Sequence, residues 1–117
     1  MITEKRTLPI GIEHKGQRHR DLEVRHRLVK DLVAAHDNPL MNKSESNYEI
    51  CCLAEQIIKL GDIPKEEISA ALLTEMYIDD FDTLVEAAEK ARQRVASFSE
   101  KKQGDKKSNS GVDAPGV

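Results

Sequence analysis

The apolar positions of this chain change their spacing along its length, and each change marks an element. Leu8, Ile10 and Ile12 alternate with Thr7, Pro9, Gly11 and Glu13, and Leu22 and Val24 alternate with Asp21, Glu23 and Arg25. A period of two suits a half-buried strand, so both runs predict strands and the Gly16 between them predicts a hairpin. A two-residue loop at Lys15-Gly16 would set Leu8 opposite Glu23 and Ile10 opposite Asp21, apolar against charged. A three-residue loop puts Leu8 and Ile10 on the face of Leu22 and Val24. His14 and Lys15 would then form a type I turn, with Gly16 in the left-handed bulge position that favours glycine. His19, Asp21, Glu23 and Arg25 fall on the solvent face in that arrangement.

From Leu28 onward the period is helical. In "RLVKDLVAAH", Leu28, Leu32 and Ala35 share a face with Val29 and Val33 beside them, and Pro39 ends the run. Ser44 or Ser46 can cap the next helix, "NYEICCLAEQIIKLG", which places Ile50, Leu53, Ala54, Ile57 and Leu60 in register and stops at Gly61. "DIPKEEISAALL" predicts another helix, with Pro64 in its first turn and Glu66 and Glu67 near the positive end of the dipole. The last helix has the most regular pattern: Phe81, Leu84, Ala88, Ala91, Val95 and Phe98 follow a heptad seam. Asp79, Asp80 and Asp82 fall at its N-terminus, where carboxylates satisfy free N–H groups. The seam serves equally for packing inside a monomer or for a homo-oligomer contact. After Phe98, "SEKKQGDKKSNSGVDAPGV" has Val and a single Ala as its apolar residues, too few to offset the entropy of ordering. The expected architecture is α+β: an N-terminal β-hairpin followed by a small bundle of about four α-helices in one domain over residues 1–98, with residues 99–117 a disordered polar tail.

Composition narrows the material of the core. The 117 residues are 38% hydrophobic but only 3% aromatic, so Leu, Ile, Val and Ala must fill the interior. The formal charge of −3 conceals a strong division along the chain. Residues 1–30 carry eight Lys/Arg against four Asp/Glu, residues 31–89 three against fourteen, and residues 90–117 seven against three. A basic head, acidic middle and weakly basic tail bear on association and steering rather than on fold. The first apolar run, "LPIGI", is too short for a signal peptide, and no run approaches the ~18 apolar residues of a membrane span. A cytoplasmic location is expected. Cys51 and Cys52 are neighbours, read as one small buried hydrophobe and one partly exposed thiol rather than a strained vicinal disulfide.

The stretch from Gly11 to Leu32 holds three of the four histidines and much of the basic charge, and it raises three readings. Binding to single-stranded nucleic acid needs aromatic platforms, which are missing here. Reading a groove needs a basic helical face, whereas this stretch has strand periodicity. His14 and His19 could approach across the turn, but no Cys or acidic partner stands at zinc-ligand spacing. "YIDDFD" lacks the glycine and the bidentate Glu of a calcium loop. A dinucleotide fingerprint, a P-loop, a nucleophile elbow and a metal-protease motif are all absent from the sequence. No catalytic residue, cofactor site or metal site is expected. The chain reads as a non-enzymatic interaction module, and a small nucleic-acid-binding regulator using the basic hairpin is the competing reading.

The order of motifs carries a resemblance. A hairpin with a glycine turn leads to Leu22, Val24 and Arg25 at a strand end, then Asp31-Leu32 at a helix start. Gly61, Pro64, Glu66 and Ile68 follow, and the last helix opens with Asp80. This order over roughly residues 5–95 resembles the small tail assembly chaperones of contractile-tailed, Mu-like bacteriophages. The chain departs from them at Arg25-His26-Arg27, where a proline often follows the arginine. The resemblance implies a protein of the host bacterial cytoplasm that binds the tape-measure protein, keeps it soluble and helps recruit tail-tube subunits. Nucleic acid and membrane would not be partners. An apolar helical segment of a tape-measure protein would need an open apolar groove. Ile57 and Leu60, beside Leu84, Ala88, Ala91 and Val95 on the last helix, are the candidate residues for that groove.

Overall fold

The computed structural model describes residues 1–103. Strands β1 (Thr3–His14) and β2 (Gln17–Arg25) form the antiparallel hairpin. Its turn has two residues, because His14 pairs with Gln17, and both Lys15 and Gly16 are left-handed at φ 53° and 79°. Such a turn matches the twist of the flanking strands, which the expected three-residue loop does not improve on. The parity problem is solved elsewhere. Thr7 faces Asp21 while Ile12 faces His19, so residues 8–11 bulge out against Arg20 alone. Gly11, at φ 103°, permits the bend, and Leu8 is returned to the core beside Leu22 and Val24.

Helix α1 (Val29–His36) follows, and two short 3-10 turns, Pro39–Asn42 and Glu45–Asn47, lead into α2 (Tyr48–Gln56). Ser44 caps the second turn by accepting from the Ser46 amide at 3.1 Å. The helix expected to continue to Gly61 stops early. Ile57 is extended, and Ile57–Leu60 forms β3, antiparallel to β2, in a sheet of order β1-β2-β3. The open edge of β2 supplies hydrogen-bond partners, and β-branched Ile57 and Ile58 suit the pleat. Gly61 is left-handed at φ 58°, as expected of a stop, but what it ends is a strand.

Between Lys65 and Glu67 the chain makes a 3-10 turn in place of the predicted helix start. Helix α3 (Ala70–Leu73) is a single turn, capped where Ser69 accepts from Leu72 N–H at 3.1 Å. Helix α4 (Ile78–Gln103) then crosses the dry face of the sheet and packs on β1 and β2. It runs past residue 98, so the first residues assigned to the expected tail are helical; the remainder, 104–117, lies outside the described residues. The fold is mixed α+β, a hairpin-led sheet followed by helices.

Sheet and helices share one core that includes Leu8, Leu22, Val24, Leu53, Leu84 and Ala87. Both cysteines are buried in it, so neither is the partly exposed thiol expected. The other face of the sheet is wet: Lys5, Thr7, Asp21 and Lys59 are exposed. The fully buried stripe of α4 is Asp80, Leu84, Ala87 and Ala91, displaced from the heptad seam; Phe81 and Ala88 pack only partly, and Phe98 is exposed. On α1 the seam also shifts. Asp31 and Ala35 are buried, whereas Leu28, Val29 and Val33 are 44%, 75% and 60% exposed.

Candidate protein-docking site

The arginines of the basic head make bonds within the molecule. Arg25, expected on the solvent face, is buried and forks onto Asp31 with two bonds of 2.8 Å, while donating to the carbonyls of His26 and Glu55. Asp31 also accepts from the Leu28 N–H at 2.7 Å, which ties the start of α1 to the end of β2. Burial alone would raise the Asp31 carboxyl, but the Arg25 guanidinium and the Leu28 N–H reverse that and hold it below the ordinary range. Gln56 extends the node by donating to the Arg25 carbonyl at 2.9 Å and accepting from Arg27 at 2.7 Å. Arg27 pairs with Glu49, and Glu4 is held low by Arg94 and Arg6.

The bulge in β1 is satisfied in the same internal manner. Arg20 donates to the carbonyls of Leu8 and Pro9, and Arg18 to that of Ile10, at 2.8, 3.4 and 3.4 Å. The amides of Ile10 and Gly11 both donate to the fully buried carboxylate of Asp80, each at 2.9 Å. Asp80 does stand in the first turn of α4, but the donors it satisfies belong to the strand beneath. Lys65 donates to the carbonyls of Ala54, Glu55 and Ile57 where α2 gives way to β3, and burial lowers its pKa. His19, also expected in solvent, is buried and accepts from the Asp62 N–H at 3.1 Å. Among the described residues, no group of three His, Cys, Asp or Glu side chains is placed to hold a metal ion.

Among the described residues, two concavities bear most on binding. The larger, about 490 Å³, lies over the wet face of the sheet and is lined by Lys5, Arg6, Thr7, Asp21, Leu22, Glu23 and Lys59. Its lining mixes basic and acidic side chains. The smaller, about 230 Å³, is the more informative. It is bordered by α2 and α4, with Leu53, Val85 and Ala88 as its apolar lining and His26, Arg27, Glu49, Gln56, Glu89 and Arg92 as its polar lining. The rim is largely self-neutralised, since Arg27–Glu49 and Arg92–Glu89 close at 2.5 and 2.6 Å. An apolar strip between paired charges suits an apolar side chain of another protein better than an ion. Leu28 and Val29, exposed at the start of α1, follow directly on the rim residues His26 and Arg27.

The groove expected from the sequence is therefore corrected. Ile57, Leu60, Leu84 and Ala91 are all fully buried in the intramolecular packing, so they offer no open surface. Ala88 lines the observed groove, and Val95 lies half-buried further along α4. Val85, 39% exposed, was missed. Its signal was a second apolar stripe, Ile78, Phe81, Val85 and Ala88, at helical spacing beside the buried one.

No helix among the described residues is long and apolar enough to cross a membrane. Comparison with protein-family models, with curated proteins and with solved structures finds no match to this chain.

Proposed function

We propose that this chain is a non-enzymatic binding protein that holds an apolar, helix-forming segment of a partner. In this reading it acts as a tail assembly chaperone of the Mu-like phage type that its motif order resembles. The partner is then the tape-measure protein, with tail-tube subunits joining later, and the work is done in the host bacterial cytoplasm. A second copy of the chain, meeting it along α4, is a further partner compatible with this role. The reading is carried by one observation: Val85 stays exposed in the α2–α4 groove, and Leu28, Val29 and Val33 stay exposed at and after the start of α1, in a molecule whose core is complete without them. A long helical ruler exposes apolar stripes that self-associate in water until a tube covers them. A partner helix laid in the groove would cover such a stripe in the helix-in-groove mode.

Co-expression with a tape-measure protein of a Mu-like phage tests the reading by solubility and pull-down. Wild-type protein keeps the partner soluble and bound. Val85→Glu and Val29→Glu abolish both while melting within about 4 °C of wild type, as surface substitutions do. A partner that stays insoluble with wild-type protein present, or that both variants still rescue, overturns it. The pairing of Arg25 with Asp31 and of Arg27 with Glu49 also supports this reading over a nucleic-acid regulator, because phosphates need cations that are free.

A further inference from the structure

Two histidines meet at the tip of the hairpin, and the structure gives them opposite chemistry. The tip reaches beyond β3, which pairs only along Leu22–Val24 of β2. What holds the tip is the segment after β3. Gly61 N–H donates to the Asp21 carbonyl at 2.7 Å, Asp62 N–H donates to His19 Nδ1 at 3.1 Å, and His14 Nε2 meets Glu67 Oε1 at 2.8 Å. Lys15 reaches the same Glu67 carboxylate at 3.3 Å. His19, 7% exposed, packs against Gly61 so closely that no Cβ would fit there, and the two histidine ring centroids stand 6.4 Å apart.

An Nδ1 atom that accepts a hydrogen bond belongs to a neutral imidazole whose proton is on Nε2. Protonation puts a second N–H on Nδ1, where it points at the Asp62 N–H, donor against donor. The ring abuts Gly61 on one side, and the new charge sits on a buried residue. His14 responds in the other direction: protonation there strengthens its contact with Glu67, but that pair is partly exposed and screened by water. The charged groups around His19 are Lys15 and His14 on the hairpin, Asp62 on the turn, and Glu67 on the 3-10 turn through His14. Asp62 is exposed and lines the same cavity as His19.

We propose that His19 is a proton-sensitive clasp, fastening the Gly61–Asp62 turn to the hairpin tip when neutral and releasing it when protonated. Histidine is the side chain that ordinarily changes charge between about pH 5 and 8, so mild acid would loosen the connection between β3 and α3 while the main core stays packed. The device is independent of the docking reading, because it needs no partner.

Nuclear magnetic resonance of the full chain tests it. At about pH 7.5 the His19 ring nitrogens should report the Nε2–H tautomer. After correction for intrinsic exchange, protection of the Asp62 amide should fall at least about tenfold at about pH 5, in step with His19 protonation. His19→Asn presents a carbonyl oxygen near the Nδ1 position and does not titrate, so its Asp62 amide stays protected at both pH values. His14→Gln keeps the pH response. If His19→Asn does not fold, the wild-type tautomer and exchange still decide. An Nδ1–H tautomer at neutral pH, protection that does not change with pH, or a response lost in His14→Gln and kept in His19→Asn would each overturn the proposal.

Discussion

Helices α1 and α4 divide the work of the fold in a way their compositions do not suggest. α4 is rich in charge, yet its inner stripe of Asp80, Leu84, Ala87 and Ala91 is wholly buried. α1 is short and apolar, yet Val29 and Val33 face solvent while the charged Asp31 is as fully buried as Ala35. The difference shows what selects a face for burial. Each helix turns inward the carboxylate that has fixed donors waiting, Arg25 and the Leu28 amide for Asp31 and two strand amides for Asp80. A buried carboxylate without such partners would be strongly unfavourable, so the polar contact sets the rotation of the helix and the apolar neighbours follow. Apolar side chains left outside by this choice contribute little to folding and are free to serve a partner.

The largest expected effect separates the two stripes of α4. Leu84→Glu puts a charge into a fully buried site and should unfold the protein, a loss beyond about 4 kcal/mol, whereas Val85→Glu one position away should melt near wild type. Circular dichroism melts of the two variants check this, and equal losses would break the distinction between inner and outer stripe.

The next effect probes the polar anchor of α1. Asp31→Ala strands a buried guanidinium and should cost about 3–5 kcal/mol, while replacing Arg25 and Asp31 together by Met and Leu should recover much of that loss. The pH dependence follows from the same pair. The folded Asp31 carboxyl is held below its ordinary value, so its stabilisation is fully present above about pH 4, the unfolded range, and is lost as pH falls through the lowered folded value. Urea titrations from neutral pH downward should show a shallower acid loss in Asp31→Asn than in wild type. Parallel acid limbs would remove Asp31 as the anchor.

A smaller effect distinguishes the glycines. Gly61→Ala meets both a left-handed backbone and the His19 ring, so it should cost clearly more than Gly16→Ala, whose added Cβ has open space and should cost about 1 kcal/mol. Denaturant midpoints of the two variants check the order.

Much of the fold was legible because period alone marks it. The two strands, the turn at Gly16 and the centres of α1, α2 and α4 all lie where alternation or helical spacing puts them. "IIKL" was not legible, since Ile57 and Leu60 fit a helical face as well as a strand and only the open edge of β2 decides between them. The bulge was hidden for a related reason: the pairing argument assumed a regular ladder, and the departure at residues 8–11 is held by Arg18, Arg20 and Asp80. Asp80 lies 70 residues from the Ile10 amide it satisfies, and no local pattern carries that information. The α2–α4 groove was half legible. Ala88 was found, but the heptad reading favoured Leu84 over Val85, the neighbour that proves to be exposed.

The central claim is that the apolar side chains left outside the core form a docking surface for an apolar helix. Its most direct measurement is the affinity of the purified chain for overlapping helical peptides spanning the tape-measure protein, read by isothermal titration for wild type, Val85→Glu and Val29→Glu. The account predicts that at least one peptide binds wild type with a negative heat-capacity change, as burial of apolar surface requires, and that each variant weakens it tenfold or more, about 1.4 kcal/mol. Binding that both folded variants retain at full strength, or no binding by wild type to any peptide, would contradict it.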